Sequence, residues 1–321
     1  MKRVFTKSWG AEIVEGGTRF RLWAPAQDRL YLRCDGTDHP MKAAADGWFD
    51  VTLPGVGAGC EYGFVLDSGQ VIPDPAARAQ VGDVHGPSRV IDPGGFDWTP
   101  WRGRDWEEAV ILEVHIGTFT PEGTFRAAIE KLPHLVKTGI TVLEIMPVAQ
   151  FAGNRGWGYD GVLPYAPHPA YGTPEDMKAL IEAAHRHGLM VLLDVVYNHF
   201  GPEGNYLAAY APDFFDKTRQ TPWGDAIAYD RDPVRRFFVE NALYWLDEYH
   251  LDGLRLDAID HVRDPASPDI LTEIAQQVRA RFPHAHLTTE DSRNITHLHE
   301  RDSEGRPRLY TGEWNDDFHN V

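Results

Sequence analysis

From Ala109 onward, short apolar segments of strand length alternate with segments of helix length, and this alternation constrains the fold more than any other feature. Residues 110–115, 142–145, 190–196, 253–257, 286–290 and 308–312 read as six strands. Residues 125–137, 174–188, 232–250 and 268–282 read as helices, two of them opened by Thr173-Pro174 and Asp232-Pro233. The run from Met190 to Val196 is apolar apart from Asp194, as expected of a strand buried on both faces. Such alternation means a parallel sheet with helical crossovers. A (β/α)8 barrel and a doubly wound sheet both satisfy it. No G-x-G-x-x-G follows any strand, which weakens the dinucleotide-binding version.

The preceding stretch has a different texture. Residues 18–23, 29–34, 48–53 and 62–66 alternate or cluster apolar residues between Gly-rich turns, the pattern of a small all-β sandwich of immunoglobulin-like type. Asp92-Pro93-Gly94-Gly95 marks a linker. The expected organisation is therefore a β-sandwich over residues 1–95 and a barrel over residues 96–321. The net charge of −17 argues against nucleic acid and anionic membrane as partners. No segment approaches the length of a membrane span or a signal peptide. The two cysteines, Cys34 and Cys60, cannot build a disulfide framework and suggest a reducing, cytoplasmic setting.

Polar residues gather at the carboxyl ends of the strands, the face on which barrel enzymes build their sites. They include Asp194, Asn198 and His199 after the third strand, Arg255 and Asp257 on the fourth, and Glu290 and Asp291 after the fifth. Trp157, Tyr159 and Asp160 lie between the second strand and the following helix. Trp314, Asp316, Asp317 and His319 follow the expected sixth strand. Side chains alternate along a strand, so Arg255 and Asp257 share a face. There the guanidinium would hold Asp257 ionised. A structural ion pair, or Asp257 capping a helix, would account for that segment alone.

Adjacent strands lie about 4.8 Å apart, which brings the tips at Asp257 and Glu290 together. Retaining glycosidases use two carboxyls about 5–5.5 Å apart, one a nucleophile and the other an acid/base. Asp257 beside Arg255 suits the nucleophile. Glu290 suits the acid, because an apolar strand and the like charges of Asp257 and Asp291 should raise its pKa. His199 could bond a sugar hydroxyl, with Trp157 or Tyr159 as a stacking wall. Against this stand a buried structural histidine, packing aromatics, and Asn198 as a turn former.

D-V-V-Y-N-H from Asp194, G-L-R-L-D from Gly253 and T-E-D from Thr289 match, in order, three signature regions of the α-amylase superfamily, which the chain resembles. The segments R-G-W-G-Y-D-G-V from Arg155 and G-E-W-N-D-D-F-H-N from Gly312 make it most similar to members acting on maltooligosyl trehalose. That resemblance implies Asp257 as nucleophile and Glu290 as acid/base, with Asp194, His199, Arg255 and Tyr159 around the cleaved glucose. It implies an α-1,4-glucan substrate ending in trehalose and no organic cofactor or required metal. A branching or debranching enzyme, or a non-catalytic glucan-binding protein, is the alternative. The superfamily's fourth region, with a third carboxylate, has no match, and six strands are visible where a barrel has eight. The sequence thus reads as the front part of a longer enzyme, with unpaired sheet edges.

Overall fold

The computed structural model describes residues 6–293 and 295–315. The chain divides into two compact units. The first holds Met1–Phe96 together with Val148–Pro174 and Phe200–Phe215; the second holds Asp97–Pro147, Glu175–His199 and Asp216–Val321. Two segments from within the strand–helix region thus group with the amino-terminal strands.

In the first unit, Gly10–Val14, Gly17–Trp23, Trp48–Pro54 and Lys42–Ala43 form one antiparallel sheet in that spatial order. Thr37–Pro40, Tyr31–Cys34, Glu61–Val65 and Val71–Ile72 form a second, with Ser88–Arg89 added on Glu61–Val65. The sheets meet through inward aromatic residues, Phe20 of one lying edge-on to Tyr62 of the other at 4.8 Å between ring centres. Cys34 and Cys60, expected from the sequence as thiols in a reducing compartment, are instead joined as a disulfide. Strand pairing explains the approach, since Cys34 lies opposite Tyr62, two residues beyond Cys60.

The second unit is built on six parallel strands: β1 (Ile111–Val114), β2 (Val142–Ile145), β3 (Met190–Val195), β4 (Gly253–Leu256), β5 (His286–Asp291) and β6 (Gly312–Asn315). Their spatial order equals their chain order. A doubly wound sheet reverses direction from an inner strand, so the sheet is the unidirectional winding of a (β/α) barrel. Among the described residues it is open, with β1 and β6 at its edges. Every residue of β2, β3 and β4 is buried, which accounts for runs that are apolar apart from Glu144, Asp194 and Arg255. A Cβ on Gly253 would lie 1.9 Å from the His286 carbonyl oxygen, so only glycine lets β4 and β5 run this close.

Helices α1 (Pro174–Arg186), α2 (Asp232–Glu248) and α3 (Ile270–Arg281) follow the sequence pattern, with Asp269 capping α3 by accepting the Thr272 N–H. Two expectations shift. The helix expected over residues 125–137 is two short ones, Phe125–Ile129 and Leu132–Lys137. Pro133 has no N–H to continue the first helix and sits in the opening turn of the second. The sixth strand begins at Gly312, where the sequence suggests 308–312. Arg308 and Tyr310 donate their backbone N–H groups to Glu300 and Leu298 in a preceding loop. That shift moves Trp314 from a loop onto the strand itself. No helix among the described residues is long and apolar enough to cross a membrane.

Candidate active site

Parallel register delivers the polar residues of neighbouring strands to one height. Asp194 on β3 pairs with Arg255 on β4, and Arg255 with Thr288 on β5. Two residues further on lie Asp257 and Glu290. Arg255 is the hub: its Nη1 lies 2.6 Å from Asp194 and 3.0 Å from Asp257, and its Nη2 is 3.1 Å from Glu290. The guanidinium and Asp194 are almost fully buried. Removing the shared guanidinium would leave Asp194 buried without its counter-charge, at a cost of about 3–5 kcal/mol. The strand alternation places Arg255 and Asp257 as the sequence requires, and the contact is a direct one.

Asp257 is fixed on two sides. Arg255 takes Oδ1, and the Asn198 side-chain amide donates to Oδ2 at 3.0 Å and to the Asp257 carbonyl at 2.8 Å. Glu290 accepts the backbone N–H of Ala258 at 2.8 Å. That amide is aimed by an uncommon conformation, since Ala258 has φ of 41°. Burial pushes the Glu290 carboxyl above the usual carboxylate range; Arg255 and the Ala258 N–H pull it back, and the facing Asp257 carboxyl adds to the rise. One carboxylate held by donors beside one carboxyl inclined to keep its proton is the arrangement a double displacement requires.

Asp291 does not act on Glu290 as the sequence suggested. It is buried and held by the Arg293 side chain at 2.9 Å and the Arg293 N–H. His199 is bonded through Nδ1 to the Asn198 side-chain amide oxygen, and its ring stacks on Trp223 at 4.0 Å with planes 5° apart. Trp223 is 46% exposed and also meets His261 edge-on. Sequence reasoning missed it. The available signal was an apolar side chain at a polar hairpin tip, Pro222-Trp223-Gly224, between strands Phe215–Thr221 and Gly224–Ile227. Trp157, Tyr159 and Asp160 belong to the first unit, Trp157 there being 76% exposed. Trp314 lies on β6 opposite Glu290. Asp316, Asp317 and His319 fall outside the described residues.

Deeper on β2, Glu144 is fully buried, with the Trp314 side chain as a hydrogen-bond donor beside its carboxyl. Burial raises its pKa to about 7, moderated by Arg255. The folded protein therefore keeps this proton up to about pH 7, whereas an unfolded Glu loses it near 4.5. Stability from this group is fully present below pH 4.5 and is lost as pH rises through about 7. Glu144→Gln should match wild type near pH 4.5 and exceed it at pH 8 by up to about 3 kcal/mol in urea unfolding. The same difference at both pH values would mean that Glu144 ionises like an exposed carboxyl.

Residues 87–223 match the family described as alpha amylase, catalytic domain. A malto-oligosyltrehalose trehalohydrolase of Deinococcus radiodurans is 48% identical over 97% of the chain and 51% of its own length. A crystal structure from Salmonella typhimurium, described as an alpha amylase, superposes with a TM-score of 0.97 at 61% identity, over 98% of this chain and 55% of that one. The pullulanase of Paenibacillus barengoltzii bound to maltotetraose shares the fold at TM-score 0.75 and 23% identity, over 89% of this chain and 53% of that one. The chain spans about half the length of the curated relatives it matches. With strands, register and carboxyl pair in place, the chain is similar to the α-amylase family of glycoside hydrolases and, within it, resembles the malto-oligosyltrehalose trehalohydrolases.

Proposed function

We propose that the intact protein is a retaining glycoside hydrolase that cuts the α-1,4-glucosidic bond next to the terminal trehalose of maltooligosyl trehalose. The observation that carries the reading is Arg255, which bridges Asp257 and Glu290 at the tips of adjacent strands, at 3.0 and 3.1 Å. Glu290 protonates the glycosidic oxygen as Asp257 attacks the anomeric carbon from the opposite face. The trehalose leaves and a glycosyl ester forms on Asp257. Water then enters, gives its proton to Glu290 and displaces the ester. Two inversions at one carbon retain its configuration. Asp194, Asn198 and His199 surround the cleaved glucose, and Trp223 offers an exposed aromatic face beside it.

The leaving-group preference rests on likeness to the named trehalohydrolases, and an α-glucan substrate is supported further by the maltotetraose bound in the pullulanase. The amino-terminal sheets are, in this reading, an immunoglobulin-like domain ahead of the barrel. A product assay tests the whole. Maltooligosyl trehalose should yield free trehalose and a shortened maltodextrin, with far slower attack on amylose and glycogen. New branches in amylose, or released side chains from glycogen, would make it a branching or debranching enzyme instead.

A further inference from the structure

We propose that Trp314 is a positioning residue: its ring braces the guanidinium of Arg255 and so sets the spacing of Asp257 and Glu290. The inference rests on the retaining-hydrolase reading above and adds to it a residue that acts through Arg255. On β6, Trp314 stands opposite Glu290, and its ring centre lies 5.4 Å from the central carbon of the Arg255 guanidinium. The planar edge of that guanidinium is spent on carboxylates, Asp194 and Asp257 through Nη1 and Glu290 through Nη2. Contacts in the plane do little to resist tilting; a ring against the face does.

A tilt has somewhere to go. Glu144 is fully buried and feels the charge of Arg255. Its carboxyl is a rival acceptor. The Trp314 side chain also lies near enough to Glu144 to steady its charge. One ring therefore touches both the hub of the catalytic pair and its competitor. Without it, Arg255 can lean toward Glu144, loosening the nucleophile and the acid together.

The test uses the intact enzyme with Trp314→Leu, Trp314→Phe and the double variant Trp314→Leu/Glu144→Leu. A lost cation–π contact of ordinary strength corresponds to about 3- to 30-fold in rate. Trp314→Leu should lower kcat by that factor, leave KM within about twofold, and move the basic limb of the pH–rate profile upward, because Arg255 no longer pulls the raised Glu290 carboxyl down as firmly. Trp314→Phe keeps an aromatic face and should stay near wild type. The double variant removes the rival acceptor and should recover part of the loss. Trp314→Met, equally bulky without a π face, replaces the leucine if that variant does not fold.

A raised KM with an unmoved basic limb would make Trp314 a substrate contact and overturn the proposal. So would a leucine variant with wild-type kcat, or a double variant that recovers nothing. If the unsubstituted enzyme neither hydrolyses maltooligosyl trehalose nor takes a glycosyl label at Asp257, the retaining-hydrolase reading fails first, which distinguishes the two failures.

Discussion

Replacing Glu290 with Gln in the intact enzyme lowers kcat by about 10²–10⁴-fold while substrate still binds, because shape and hydrogen bonding persist and only the transferable proton is lost. The Ala258 N–H at 2.8 Å has an amide oxygen to donate to in place of the carboxylate, so the side chain keeps its seat. The wild-type pH dependence follows from the same site. Glu290 acts while protonated, and burial with the facing Asp257 keeps its proton above the usual carboxylate range. Activity should therefore hold through mildly acidic pH and fall as pH rises through that elevated value. In Asp257→Asn the like charge is gone, and the Glu290 titration should move down. A Glu290→Gln enzyme with more than a tenth of wild-type kcat would remove Glu290 from the mechanism.

The second large effect is at the nucleophile. Asp257→Asn should cost about 10⁴-fold or more in kcat, the scale seen when a nucleophile is deleted from a working catalytic unit. Folding should survive, since Arg255 keeps Asp194 at 2.6 Å and Glu290 at 3.1 Å, and Asn198 still reaches the residue 257 carbonyl at 2.8 Å. Urea unfolding beside the rate measurement separates the two outcomes. A large stability loss with proportionate loss of activity would make Asp257 a structural anion and not a nucleophile.

Much of this was legible in the residues. The parallel sheet could be read from runs such as Met190 to Val195, because strands buried on both faces leave no room for alternation. Asp194, Arg255, Asp257 and Glu290 announced themselves as charges in apolar strands, where only a partner or a reaction justifies them. Asn198, read from the sequence as a site residue with a turn former as the alternative, donates to the Asp257 side chain and carbonyl. What stayed hidden depends on distant pairing. Trp223 stands out as an apolar side chain at a polar hairpin tip, but its stacking on His199 depends on where that hairpin docks. The place of Trp314 depended on where β6 starts, and the hydrogen bonds of Arg308 and Tyr310 to Glu300 and Leu298 decide that. The disulfide between Cys34 and Cys60 needed two strands in register. The grouping of residues 148–174 and 200–215 with the amino-terminal strands has no local signature at all.

The account turns on a covalent glycosyl ester at one carboxylate, and trapping it is the most direct test. The intact enzyme would be incubated with a 5-fluoroglycosyl fluoride, which forms the ester readily and hydrolyses it slowly, then digested and analysed by peptide mass spectrometry. The predicted result is a single label on the peptide containing Asp257, absent from Asp257→Asn, with the untrapped product released in its original anomeric configuration. A label on Glu290 or another carboxylate, or an inverted product anomer, would contradict the assignment of Asp257 as the nucleophile of a double displacement.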